Sequence, residues 1–228
     1  MRIERYSLIS GARSAKGLAV IIDVLRAFTT AAYIMANGAE RIIPVASLEE
    51  AFELKRLHPE WVLMGERDGR KVEGFDFGNS PYEVRDVDFT GRTVIQTTSA
   101  GTQGVVNARE AEEVVLGSFV TAGAIVKHIQ RVQPEVVSLV AMGSRGIEPA
   151  EEDELCADYI EGCLKGGTPD FKEIKERIRD SPSGAKFFDP SYPEFREEDF
   201  HLALELDRFD FILKTIRDDG VYIIKEWP

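Results

Sequence analysis

Asp23, Arg26, Thr29 and Thr30 follow the apolar run Val20-Ile21-Ile22 within eight positions of one another. A carboxylate can hold a cation, a guanidinium can fork onto an oxyanion, and hydroxyls can donate to one. The plainer alternative, that Asp23 only orders a turn with Arg26 as its ion-pair partner, stays open on this stretch alone. A second candidate is Thr97-Thr98-Ser99-Ala100-Gly101-Thr102, which precedes a helical pattern through Val105, Val106 and Ala108. A helix N-terminus with hydroxyls before it favours an anion, although an ordinary N-cap would look the same. The third is acidic. Leu155, Cys156, Tyr159, Ile160, Cys163 and Leu164 recur at helical spacing, and that face extended back one turn lands on Glu152 and Asp153. Glu154 falls with Asp158, Glu161 and Lys165 on the wet face. Acids in a first turn also serve the helix dipole, so capping competes with the inward reading.

These groups need elements to hold them. Leu18 to Ile22 is short, continuous and rich in branched residues, as a parallel strand buried on both faces should be, and helical spacing begins after Arg26. Asp23 is therefore expected at a strand's C-terminal end, where open α/β sheets place their ligand crevice. Further strands are expected at Arg41 to Val45, Trp61 to Met64, Thr93 to Thr97, Val114 to Leu116 and Val136 to Met142. Ser47-Leu48-Glu49-Glu50 is a capping box opening a helix with Leu48, Phe52 and Leu57. Another helix is expected from Ser118 to about Val132, and one begins near Pro149.

Between Gly65 and Pro81 the chain reads as a long polar, glycine-rich loop, ordered by Phe75 and Phe77 and ending in the N-cap pair Ser80-Pro81. The alternation predicts one α/β domain over residues 1–228, a three-layer α/β/α fold with a largely parallel or mixed sheet. Residues 166–208 read as irregular and poor in chemistry. A C-terminal β-hairpin is expected around Asp218-Asp219-Gly220.

The chain has 228 residues, 43% hydrophobic and 30% charged, ordinary values for a soluble domain with a sizeable core. Its apolar runs fall short of a membrane span, and Met1-Arg2-Ile3-Glu4-Arg5 lacks the apolar region of a secretory signal, so a cytoplasmic protein without membrane attachment is expected. With 28 basic against 40 acidic residues the net charge is −12, which disfavours nucleic acid as a partner. An anionic substrate must be held by local groups. Cys156 and Cys163, roughly 10 Å apart along a helix, are too distant for a disulfide and read as core thiols.

Familiar phosphate chemistries can be tested against the residues. A Cys-x5-Arg phosphatase fails because Gly162 and Pro169 stand six positions after the two cysteines. His58, His128 and His201 are remote from every candidate loop, which disfavours phosphohistidine and His-rich metal sites. A haloacid-dehalogenase signature needs Asp two positions after its nucleophile, where Leu25 stands, and no Gly-Lys-Ser/Thr follows a strand. What remains is a hard cation on carboxylates, most simply Mg2+ on Asp23, Glu66, Glu152 and Asp153.

Five blocks in order now carry a resemblance: Asp23-Val24-Leu25-Arg26-Ala27-Phe28-Thr29-Thr30, Gly65-Glu66-Arg67-Asp68-Gly69, Gly74-Phe75-Asp76-Phe77-Gly78-Asn79-Ser80-Pro81, Thr97-Thr98-Ser99-Ala100-Gly101-Thr102, and Glu152-Asp153-Glu154 with Cys156-Ala157. Together they resemble the 2-phosphosulfolactate phosphatase family, strongly from Val20 to Ala157 and weakly elsewhere. The resemblance implies an α/β fold and a Mg2+-dependent phosphatase that converts 2-phospho-3-sulfolactate to 3-sulfolactate and phosphate in the route to coenzyme M. On that reading Asp23, Arg26, Arg67, Thr98 and Ser99 are catalytic candidates. Thr29, Thr30, Asn79, Ser80, Thr97, Gly101 and Thr102 would bind substrate, with Mg2+ on Asp23, Glu66, Glu152 and Asp153.

The partner that the resemblance implies is a small anionic phosphorylated molecule. Open alternatives are another phosphorylated hydroxy acid as substrate, or a noncatalytic sensor of phosphorylated metabolites. Direct attack by water, a phosphoenzyme on Asp23, Ser99 or a threonine, and assembly as a homo-oligomer are likewise left open.

Overall fold

A computed structural model describes residues 1–218 and 221–227. In chain order its elements are β1 (Arg2–Ser7), α1 (Leu8–Ser14), β2 (Gly17–Ile22), α2 (Ala27–Ala36), β3 (Arg41–Pro44), α3 (Leu48–Leu57), β4 (Val62–Arg67), β5 (Arg70–Lys71), α4 (Pro81–Val84) and β6 (Thr93–Thr97). There follow α5 (Gly101–Asn107), β7 (Ala111–Gly117), α6 (Ala122–Val132), β8 (Val136–Ala141), α7 (Glu151–Leu164), α8 (Phe171–Asp180), α9 (Pro182–Ala185), α10 (Glu197–Ala203), β9 (Ile212–Asp218) and β10 (Val221–Trp227).

The strands form one mixed sheet in the order β1-β8-β2-β7-β9-β10-β3-β6-β4-β5, with helices on both faces, which is the expected three-layer α/β/α class. The expected terminal hairpin is β9 and β10, inserted between two parallel sets; its Asp219-Gly220 turn lies outside the described residues. Because β7 meets β9, β9 meets β10 and β10 meets β3 in antiparallel fashion, the β3-β6-β4 set runs opposite to the β1-β8-β2-β7 set.

Alternation along each strand explains how the two sets cooperate. In β2, Ala19 and Ile21 face one core while Leu18, Val20 and Ile22 face another; in β3, Ile42 and Ile43 divide in the same way. The core that takes Ile21, Leu116 and Val140 also takes Ile42, Met64 and Val94, together with Phe28, Ala31, Ile34 and Val105 of α2 and α5. One helical layer thus serves both sets, and the sheet coils around it. Helix α2 accordingly buries nine of its ten residues, as a helix apolar on all sides must. Each Phe or Ile withdrawn from water there stabilises the fold by roughly 1.5–3 kcal/mol.

Coiling around a shared layer carries the C-terminal ends of both sets to one place. Gly101, opening α5 after β6, stands so close to the end of β2 that a Cβ there would lie 2.8 Å from Asp23 Oδ2. The stretch after Met64 departs from the expected loop: β4 continues through Glu66 and Arg67 and turns at Asp68-Gly69 into β5. Parallel pairing of Gly65 with Thr97 holds that extension. Gly65 adopts φ +140°, and a side chain on it would be driven into the Thr97 carbonyl oxygen.

Gly65→Ala should therefore destabilise the protein by at least about 2 kcal/mol through combined backbone strain and overlap. Thermal unfolding should show a fall in Tm of roughly 4–8 °C for a chain of this size.

Candidate active site

The strand ends enclose a crevice of about 540 Å3, lined among others by Asp23, Arg26, Glu66, Asn79, Ser99, Glu152 and Asp153. Each comes from a different corner of the fold. Asp23 and Arg26 follow β2, Glu66 ends β4, Asn79 precedes α4, Ser99 follows β6, and Glu152 with Asp153 open α7. The inward direction expected for the last two holds: Glu152 is 4% and Asp153 2% exposed. Glu154 points elsewhere, pairing with Arg5 at 2.9 Å and accepting from Ser7 Oγ. Arg5 also binds Asp158 and Glu161, so the wet face of α7 clasps β1.

Backbone donors position the acids. Asp23 Oδ1 accepts from the Ala27 amide at 3.0 Å, at the start of α2. Asp153 accepts from the Val24 amide on one oxygen and the Gly143 amide on the other, both at 2.8 Å, tying the loop after β2 to that after β8. Glu66 accepts from the Gly69 and Ser99 amides at 2.7 Å and from the Ser99 hydroxyl at 3.1 Å. Glu152 accepts from Ser183 Oγ.

Bringing these carboxylates together out of water has an electrostatic cost. Burial pushes Asp23 up to about 7; the Ala27 amide works against that rise, and the charges of Glu66 and Glu152 add to it. Burial raises Asp153 well above the usual carboxylate range, reinforced by Asp23 and Glu152, and burial raises Glu152 despite the Ser183 hydrogen bond.

Arg26 does not answer that charge. Its Nη1 donates to Asp199 Oδ2 at 2.8 Å and to the Glu194 carbonyl at 3.0 Å, its Nη2 donates to the Gly69 carbonyl at 2.8 Å, and Phe195 covers its face at 5.0 Å. Asp199 completes its own set with Ser80 Oγ at 2.6 Å and the Tyr82 amide at 3.0 Å. The Asp23 partnership considered for Arg26 is replaced by one with Asp199, while Arg26 still lines the crevice. The pair instead locks α10 to the starts of α2 and α4, and with Arg26 4% and Asp199 0% exposed, breaking it should cost about 3–5 kcal/mol.

Other expected site residues stand outside the crevice wall, each for a local reason. Thr29 and Thr30 lie on the buried α2, where their hydroxyls donate to the Val24 and Arg26 carbonyls. Thr98 and Thr102 cap the start of α5 by exchanging hydrogen bonds, and Gly101 serves its close backbone approach. Thr97 Oγ1 accepts from Arg67 at 2.8 Å, whose other branch binds the Glu66 carbonyl. Ser80 is the expected N-cap of α4 and a partner of Asp199.

The crevice also has walls that sequence reading missed. Residues 166–208, whose sequence reads as chemically poor, supply Ser183, Lys186, Phe187, Tyr192, Glu194 and Phe195, and the loop after β8 supplies Ser144 and Arg145. Arg145 carried the only local signal, an arginine flanked by glycines after a strand.

Asp23 gives a pH test in chelator-treated protein. A carboxyl raised from its unfolded value contributes stability fully present below about 4 and lost as the pH rises to about 7. Asp23→Asn removes that loss, so its Tm relative to wild type should rise between pH 4 and pH 8, as read by calorimetry.

Comparison with known proteins shows the family of the chain. The chain is 34% identical over 209 residues to a protein of Bacillus subtilis named probable 2-phosphosulfolactate phosphatase, with 90% of each chain covered. A Thermotoga petrophila protein of the same name is 32% identical over 216 residues, covering 92% of this chain and 93% of its own. One from Clostridium perfringens is 40% identical over 152 residues, covering 64% and 61%. The 2-phosphosulpholactate phosphatase family matches residues 4–215, and with every crevice segment inside that span the chain belongs to this family of phosphatases.

Proposed function

We propose that this chain hydrolyses 2-phospho-3-sulfolactate to 3-sulfolactate and phosphate with the help of Mg2+, in the route to coenzyme M. The observation that carries the metal requirement is the set of four buried carboxylates, Asp23, Glu66, Glu152 and Asp153, on one crevice whose most buried cation is committed to Asp199. Acids so arranged repel a phosphorylated ligand unless a cation stands between.

The donor set suits a hard ion, being all oxygen. Asn79 Oδ1, buried on the crevice without a hydrogen-bond partner, adds a carbonyl oxygen. Among the described residues no three acids are close enough to enclose an ion by themselves. An ion here would therefore take one or two carboxylates and complete its shell with water and phosphate oxygens, as Mg2+ commonly does. Bound there, Mg2+ would neutralise phosphoryl oxygens and activate water.

The chain's own groups supply the rest. On this reading Glu66, which accepts from the Ser99 hydroxyl at 3.1 Å, is the base toward the attacking oxygen of Ser99 or of a water. Asp153 fixes the loops after β2 and β8 so that Asp23 and Gly143 keep their places. Phe187 and Phe195 cover Arg26 and dry that wall. In the overall change the phosphorus–oxygen bond to the hydroxy acid breaks, one to a water oxygen forms, and the acid's hydroxyl regains a proton.

Phosphate release from 2-phospho-3-sulfolactate should vanish in chelator and return with Mg2+. Glu152→Gln and Asp153→Asn should each raise the Mg2+ concentration for half-maximal rate at least about tenfold, equivalent to about 1.4 kcal/mol, with Glu154→Gln within about twofold of wild type. Helix capping alone would cost each of the three roughly 0.3–1 kcal/mol of stability and leave their Mg2+ dependence alike. Full activity after chelation would refute the metal requirement, and activity confined to other esters would refute the substrate.

A further inference from the structure

Eight acids and three bases line the crevice, yet the proposed substrate carries anionic groups besides its phosphate. Of the three bases, Arg26 is locked by Asp199 and two carbonyls. Lys186 stands where its charge acts on Glu152. Arg145 differs from both: its Nε meets Asp68 Oδ1 at 2.7 Å, with side chains 62% and 64% exposed. Ion pairs so open to water are weak and exchange partners readily.

Both members of this pair sit on tight turns at strand ends. Arg145 lies at φ +56°, between Gly143 at +66° and Gly146 at +69°, in a turn braced by Ser144 amide to Glu148 carbonyl at 2.7 Å. Ile9 donates to the Gly146 carbonyl at 3.2 Å, seating the turn on α1. Asp68, across the crevice after β4, is likewise left-handed, at φ +55°. At Asp68 that conformation belongs to the two-residue hairpin turn Asp68-Gly69, with φ +55° and +82°, that joins β4 to β5. The two turns present opposite charges to each other from the C-terminal ends of two strands in opposing sets.

We propose that Arg145 binds the second anionic group of the substrate, the sulfonate or carboxylate remote from the phosphate, and that Asp68 is the partner it leaves to do so. This rests on the phosphatase reading of the same crevice and adds the residue that selects phosphate esters bearing another acid. A guanidinium can place two parallel donors on either oxyanion, which a lysine cannot, and the exchange with Asp68 keeps the charge compensated until ligand arrives.

The test uses binding as well as turnover. Calorimetry in Mg2+ compares 3-sulfolactate, which carries both remote acids, with inorganic phosphate, which carries neither. Asn tolerates left-handed backbone, so Arg145→Asn and Asp68→Asn are the suitable variants. Arg145→Asn should weaken 3-sulfolactate at least tenfold and leave phosphate within twofold, with Arg145→Lys recovering only part of the loss. Asp68→Asn should tighten 3-sulfolactate two- to fivefold, and the double variant should match Arg145→Asn alone.

Equal weakening of both probes by Arg145→Asn, unchanged 3-sulfolactate affinity, or no 3-sulfolactate binding by wild type would overturn the assignment. Wild-type protein that binds 3-sulfolactate through Arg145 but releases no phosphate from the ester would instead overturn the phosphatase reading and leave this assignment standing.

Discussion

Carboxylates held out of water beside one another are the constraint around which this crevice is arranged. Asp23, Glu152 and Asp153 are raised by burial, and their mutual repulsion deepens the effect. Such a cluster persists only because rigid neighbours leave it no escape. The Ala27 amide at the start of α2, the Val24 and Gly143 amides and the Gly69 and Ser99 amides each fix one acid oxygen. Those donors are in turn held by a helical layer that two opposed parallel sets share. The unfavourable electrostatics are offset by apolar burial elsewhere, and a cation would turn them favourable.

The Arg26–Asp199 pair performs a different task from the one its residue types first suggest. A buried ion pair adds little net stability, but it specifies where its partners must sit. Here it joins positions 173 apart in the chain, and it fastens the segment around Phe187, Glu194 and Phe195 as a wall against the strand ends. The site is thus closed by a region without regular sheet, pinned at one buried charge.

Local signals were legible to the degree that local physics decides them. The strand into Asp23, the caps at Ser47 and Ser80, and the inward turn of Glu152 and Asp153 follow from periodicity and orphan amides, and the structure carries all of them. Long-range choices were not legible. Thr29 and Thr30 look like substrate donors in sequence, but α2 is buried on all sides and its hydroxyls turn to their own backbone. Arg26 could have met Asp23, phosphate or any distant acid; Asp199, one of three consecutive acids opening α10, gave no sign of being its partner. The loop reading after Met64 failed because pairing of Gly65 with Thr97 carries the strand past its apolar residues. Arg145 and the wall from Ser183 to Phe195 matter through where the fold puts them, which spacing alone does not encode.

If the buried acids of the crevice form a cation site, Mg2+ binds there without any substrate. Mg2+ titrated calorimetrically into chelator-treated protein at pH 7.5 should bind saturably to wild type and at least tenfold more weakly to Asp23→Asn. Absence of binding, or equal affinity in the two proteins, would mean that these acids hold no cation.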